Sequence, residues 1–152
     1  MSQTVSLRLP DETADWLKAA ARRTGHSVNE LGAQFLEEAR RVSEFAEIEF
    51  RSFGGERHAC IKGQLPIWQM MEVAQGYKRH LARTAEHLGW PLWKVQAGFH
   101  YYEAFAEDID RAISENRSLG YEKLKRLFPQ MDIDVPPKAG AKKADSTPFK
   151  KG

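Results

Sequence analysis

The sequence is short of most features that announce an enzyme or a secreted protein. Cys60 is the one cysteine among 152 residues. No internal disulfide can form, which suits a reducing compartment. No apolar run approaches the roughly 20 residues of a membrane span, and the opening MSQTVSLRL lacks the apolar stretch of a secretory signal. The expected location is the cytoplasm. A Gly-rich phosphate loop, a nucleophile elbow and a zinc-protease signature are all missing, so no enzymatic activity is expected. His58, Cys60, His80, His87 and His100 fall into no paired CxxC or HxxxH spacing. Neither a metal site nor a cofactor is expected. Glu103, Glu107, Asp108 and Asp110 read as the solvated face of a helix rather than a catalytic carboxylate pair.

Basic charge is also scarce once the chain is divided. The net charge is +2, but the segment from Pro136 to Gly152 holds five lysines against one aspartate. The other 135 residues contain 18 basic and 20 acidic side chains, a net of −2. A body of that charge does not attract nucleic acid everywhere; any contact must come from a local patch, with the Lys-rich tail as a mobile counterion-releasing arm. That tail, 130–152, has few apolar residues to bury and is expected to be disordered.

What the sequence does contain begins at Thr4. Val5, Leu7 and Leu9 alternate with Thr4, Ser6 and Arg8, the period-two pattern of a strand with one apolar face. Pro10 ends it. Asp11 and Glu12 favour a helix start, and Ala14, Leu17, Ala20 and Ala21 recur at three- and four-residue spacing. Gly25 is placed to cap that helix. Ser27 with Glu30 has capping-box spacing, and Val28, Leu31, Phe35, Leu36 and Ala39 supply a second buried stripe running to about Phe45. One strand and two helices in about forty residues are too little to bury a core, and a lone strand has two unpaired edges. The segment therefore calls for a second copy of itself, with Val5, Leu7, Leu9, Leu17, Leu31 and Phe35 as the dimer core.

The order of these elements, with SLRLP followed by TGHSVNEL, resembles the ribbon-helix-helix family of DNA-binding regulators and antitoxins, the Arc/MetJ/CopG class. The resemblance covers about residues 3–45. It implies that two chains pair their strands antiparallel and set the ribbon in the major groove, with Thr4, Ser6 and Arg8 facing base edges. An arginine fork can donate two hydrogen bonds to guanine O6 and N7, and the two hydroxyls can donate or accept. The start of the second helix, Ser27, Val28 and Asn29, offers backbone N–H groups and a positive dipole end to a phosphate. Arg22, Arg23 and His26 precede it and add attraction to the backbone.

From residue 46 the pattern changes. EIEFRSF and RHACIKG flank Gly54-Gly55-Glu56 as a β-hairpin. Pro66 then opens a helix carrying Ile67, Met70, Met71 and Ala74, broken by Gly76. A further helix is expected over His80 to Leu88, and a long one from Leu92 to about Ser114 with Val95, Phe99, Tyr102, Ala106, Ile109 and Ile113 on one side. TAEHLGWPLWKV has helix-turn-helix character. Trp93, Lys94, Gln96 and His100 would be its readers, yet only one of them is a lysine, so a protein-facing role fits better. A last short helix with Leu119, Tyr121, Leu124, Leu127 and Phe128 is stopped by Pro129.

CIKG, LPIW, AEHL, VQAGFHYY and EDIDRAI, between about Ala59 and Ile113, resemble the domain-of-unknown-function family numbered 433. The loop KGQLPIW is one residue shorter than that family's pattern. The resemblance implies an antitoxin component with a PIN-like toxin as partner. Trp68, Trp90, Trp93 and Tyr101 are the candidate partner-binding residues, because an exposed subset of the aromatics would mark a contact surface.

The expected fold is thus mainly α with short β: a dimeric ribbon-helix-helix unit over 1–45, a hairpin plus a trihelical unit over 46–129, and a disordered basic tail over 130–152. The expected function is a sequence-specific repressor and homodimer that binds double-stranded DNA at its own operator, autoregulates its operon and sterically neutralises a PIN-like ribonuclease toxin. The alternative is a protein–protein adaptor in which the ribbon only dimerises the chain.

Overall fold

The computed structural model describes residues 1–127, apart from the side chains of Tyr121, Leu124, Lys125 and Leu127. Phe128, Pro129 and the expected tail lie outside the described residues. The described chain is mainly helical, with six helices and one two-stranded antiparallel sheet. It forms two compact units, Met1–Ala104 and the part that follows from Phe105.

In the first unit, residues 1–10 form no strand. The expected strand over Thr4–Leu9 is therefore not made within one chain. The physical reason is the one the sequence suggests: a ladder needs a second edge, and among the described residues none pairs with this one. Helix α1 (Asp11–Thr24) starts directly after Pro10, with Asp11 and Glu12 in its first turn, and ends at Gly25 in the left-handed conformation, φ 71°. Helix α2 (Val28–Glu44) opens with the complete capping box: Glu30 N–H donates to Ser27 Oγ at 3.1 Å and Ser27 N–H donates to Glu30 Oε2 at 3.0 Å. The two helices share a small core of Leu17, Ala20, Ala21 and Leu31, with Phe35 packed against it.

The hairpin follows. β1 (Ile48–Phe53) and β2 (Glu56–Ile61) pair in register from Ile48↔Ile61 to Phe53↔Glu56. The two-residue loop is Gly54-Gly55, both at positive φ (59° and 92°), the requirement of a type I′ turn. Three helices complete the unit: α3 (Ile67–Gly76), α4 (Leu81–Leu88) and α5 (Leu92–Ala104). His80 caps α4 by accepting from Arg83 N–H, and Gly89 at φ 67° turns the chain toward α5. A second, larger core results. Ile48, Cys60, Ile61, Ile67, Met70, Met71, Thr84, Val95 and Tyr101 are all essentially inaccessible, and burial pushes the Cys60 thiol above its ordinary pKa.

Gly98 lets α5 approach α3 closely. A Cβ there would stand 2.6 Å from Met70 Sδ and 3.4 Å from Ile61 Cδ1. Gly98→Val is therefore expected to cost about 1–3 kcal/mol by overpacking. Gly120→Ala, where a Cβ meets nothing within 4 Å, is expected to gain about 1 kcal/mol from helix propensity. Urea midpoints of the two variants check both signs.

The long helix expected from Leu92 to Ser114 is two helices. α5 ends at Ala104, the chain bends at Phe105, and α6 runs Ala106–Leu127. Conversely, no separate short helix begins near Leu119. Ser114, Ser118 and Gly120 lie inside α6, because once a helix is nucleated each further residue adds a hydrogen bond, and one glycine costs only about 1 kcal/mol. Ile109 and Ile113 are buried.

Candidate nucleic-acid and partner interface

The first 45 residues leave more large apolar surface in water than they bury. Val5, Leu7 and Leu9 are 73, 59 and 42% exposed, and Trp16, Val28, Leu36 and Val42 each lie between 40 and 57%. Against these seven, the only apolar residues that segment buries are Leu17, Ala20, Ala21 and Leu31. Trp16 covers part of the gap by stacking on Phe35, centroids 5.4 Å apart. Exposed large apolar side chains, where they lie together, are a feature of contact surfaces.

Polar groups accompany it. Thr4, Ser6 and Arg8 are exposed, and among the described residues the Arg8 guanidinium has no ion pair or hydrogen bond. Arg22 and Arg23 stand exposed in the last turn of α1. That position also suits them to the negative end of the helix dipole, so their placement alone does not require a ligand. His26, exposed beside them, lies 3.9 Å from the Glu30 carboxylate.

One expectation is corrected here. Ser27 does not present a free N–H, because the capping box commits it to Glu30. The donors left open at the start of α2 are those of Val28 and Asn29. Glu30 also brings a negative charge to that spot, with its pKa held below the ordinary value first by the Ser27 backbone hydrogen bond. A phosphate arriving there has the Val28 and Asn29 N–H groups to accept from, but meets the like charge of the Glu30 carboxylate on Ser27.

Sequence reasoning missed the polar links that tie α2 to the second core. Arg57 donates from Nε to both Glu38 oxygens, at 2.7 and 2.9 Å, and lies 5.1 Å from the centre of the Phe35 ring. Arg41 donates to the Tyr101 hydroxyl at 2.9 Å. The signal for the first link was present: Glu38 follows Leu31 by seven residues and Phe35 by three, which sets a carboxylate on the apolar stripe of α2. A charge there needs a partner.

The aromatic candidates separate by burial. Trp93 is 57% exposed. Trp68 and Trp90 are half-buried, and Trp68 rests edge-on against His58 with centroids 6.4 Å apart. Tyr101 is 1% exposed and holds Arg41, so it belongs to the core and presents nothing to a partner. No three His, Cys, Asp or Glu side chains among the described residues converge as a metal site. No helix among them is long and apolar enough to cross a membrane.

Comparison of the chain with protein-family profiles, curated proteins and solved structures returned no match.

Proposed function

We propose that the chain is a homodimeric, sequence-specific DNA-binding repressor whose residues 4–9 pair with those of a second copy, and that it serves as the antitoxin of a toxin–antitoxin pair. The observation that carries this reading is the exposure of Val5, Leu7 and Leu9 on a run that has no partner edge among the described residues. Pairing two such runs removes the apolar side chains from water and doubles the set Thr4, Ser6 and Arg8 to six readers. Backbone attraction comes from Arg22, Arg23 and the open N–H groups of Val28 and Asn29. A PIN-like ribonuclease, the partner class implied by the second resemblance, would be neutralised by steric cover.

Arg8→Ala tests the reading on duplexes selected from a random pool by the unaltered protein. Each bidentate arginine–guanine contact is worth roughly 1–3 kcal/mol of discrimination. The expected result is a tenfold or greater loss of affinity with relaxed preference at one position of each half-site. Unchanged affinity and unchanged preference would sink the base-reading role.

One observation favours the adaptor alternative: the Glu30 carboxylate occupies the anion position at the start of α2. That alternative predicts no retardation of promoter DNA at physiological salt and a salt slope near zero.

A further inference from the structure

A cleft of about 630 Å³ lies between the end of α2 and α5, lined by Glu44, Phe45, Ala46, Glu47, Trp93, Gln96, Ala97 and His100. Its lining combines aromatic and alanine surface with two carboxylates. Those carboxylates are not equivalent. Glu44 is held by Arg40 at 2.7 Å, whereas the Glu47 carboxylate has no hydrogen-bond or ion-pair partner among the described residues.

Glu47 is also strained. It adopts φ 64°, a left-handed conformation that disfavours any residue with a Cβ and is free for glycine. The surrounding structure holds it there, with its carbonyl accepting from Lys62 N–H at 2.8 Å. Lys78 and Arg79 share that conformation, at φ 53° and 59°, so the backbone alone assigns Glu47 no role; what sets it apart is an unpaired carboxylate on the cleft wall.

Trp93 supplies the complementary surface. Its indole is more than half exposed and already attracts a cation: Lys94 Nζ, which does not line the cleft, sits 5.7 Å from the ring centre. His100 makes no hydrogen bond or ion pair with Glu47; its Nε2 lies 3.0 Å from the Gln96 side-chain amide. A cleft lined by both an exposed indole and an unpaired carboxylate matches one side chain best. A guanidinium is planar, stacks on aromatic faces and forks onto a carboxylate, while its three-carbon stem suits the Phe45 and Ala97 surface. The two carboxylates repel a phosphate backbone, so this face is not a second nucleic-acid surface.

We infer that this cleft binds an arginine-bearing, otherwise apolar segment of a partner protein, with the guanidinium set between Trp93 and Glu47. The inference rests on the chain having a protein partner and is independent of its binding DNA.

The test uses the full chain and two capped pentapeptides, acetyl-Ala-Leu-Arg-Leu-Ala-amide and the same peptide with uncharged, isosteric citrulline in place of arginine. The readout is the indole N–H resonance of Trp93 in a nitrogen-15 spectrum, assigned with Trp93→Phe. The arginine peptide is expected to shift it saturably. Glu47→Gln is expected to weaken that binding by at least about threefold, the scale of a partly exposed ion pair. Citrulline is expected to do the same. Glu47→Gly, which relieves the left-handed strain, is expected to raise the melting temperature while losing the peptide response, so loss of binding is not loss of fold. Arg8→Ala is expected to leave the peptide response intact, which separates this result from the DNA reading. Equal binding of the citrulline peptide, an unaltered response in Glu47→Gln, or no shift at millimolar peptide overturns the inference. So does a Trp93 shift produced by a short DNA duplex, or one produced by protein concentration alone, which would make a second copy the occupant.

Discussion

Leu7→Glu is expected to leave the proposed ribbon unpaired, so that the chain is monomeric and the proposed duplex binding is lost with it. Leu7 is the middle of three alternating apolar side chains that stand exposed in the single chain. Burying each contributes roughly 1.5–3 kcal/mol, so six of them across a two-fold axis supply on the order of 10 kcal/mol before association costs. A carboxylate at the centre of that contact loses one such contribution per chain and adds two like charges in a desolvated strip. Sedimentation equilibrium reads the first effect and retardation of selected duplexes the second. The hairpin-and-helix core around Met70 and Val95 does not involve Leu7, so the near-ultraviolet dichroism of the variant is expected to stay close to that of the unaltered chain. If the unaltered protein is itself monomeric at high micromolar concentration, the ribbon is wrong and not merely weak.

Arg57→Ala carries the second large expected effect, on stability. It removes the partner of Glu38, whose side chain is only 10% accessible, and leaves a carboxylate facing Phe35 with no counter-charge. Breaking one half of a buried pair typically costs about 3–5 kcal/mol. Arg57 also loses its packing over the Phe35 ring. In a chain of this size that corresponds to a fall in melting temperature of roughly 10 °C or more. The companion double variant, Glu38→Leu with Arg57→Met, is expected to recover most of the loss, since apolar replacement of a whole buried pair is often neutral. Thermal denaturation of the single and double variants distinguishes a penalty for an orphaned charge from a simple loss of contact. A double variant as unstable as the single one would mean that packing, not charge, dominates at this joint.

Local signals in the sequence were strong where the responsible chemistry is local. Gly25 and Gly89 terminate their helices in left-handed conformations, Ser27 and Glu30 close the capping box, and Gly54-Gly55 turns the hairpin, each because a few adjacent residues decide the matter. The boundary at Phe105 was not legible. Residues 92–113 hold their apolar spacing across the bend, and periodicity registers a face, not the continuity of a helix axis. The serines and the glycine between Ser114 and Gly120 misled in the opposite direction, since weak helix formers lower a helix's stability without ending it. The run Thr4–Leu9 was legible as a pattern but is not a strand, because a ladder needs a second edge and none among the described residues pairs with it. Least visible were Glu38 with Arg57 and Arg41 with Tyr101, separated by 19 and 60 positions. Only the misplaced carboxylate on the α2 stripe hinted at the first.

Those two links make α2 a lever. Its far end, at Ser27, lies about 20 Å along the axis from the clamp formed by Glu38 and Arg41, at 1.5 Å per residue. A tilt of about 10° at the clamp moves the Ser27 end by about 3.4 Å, the rise of one base-pair step. If the chain binds DNA as proposed, a small displacement of the hairpin or of α5 would be felt as a shift in registration at the opposite end of the same helix.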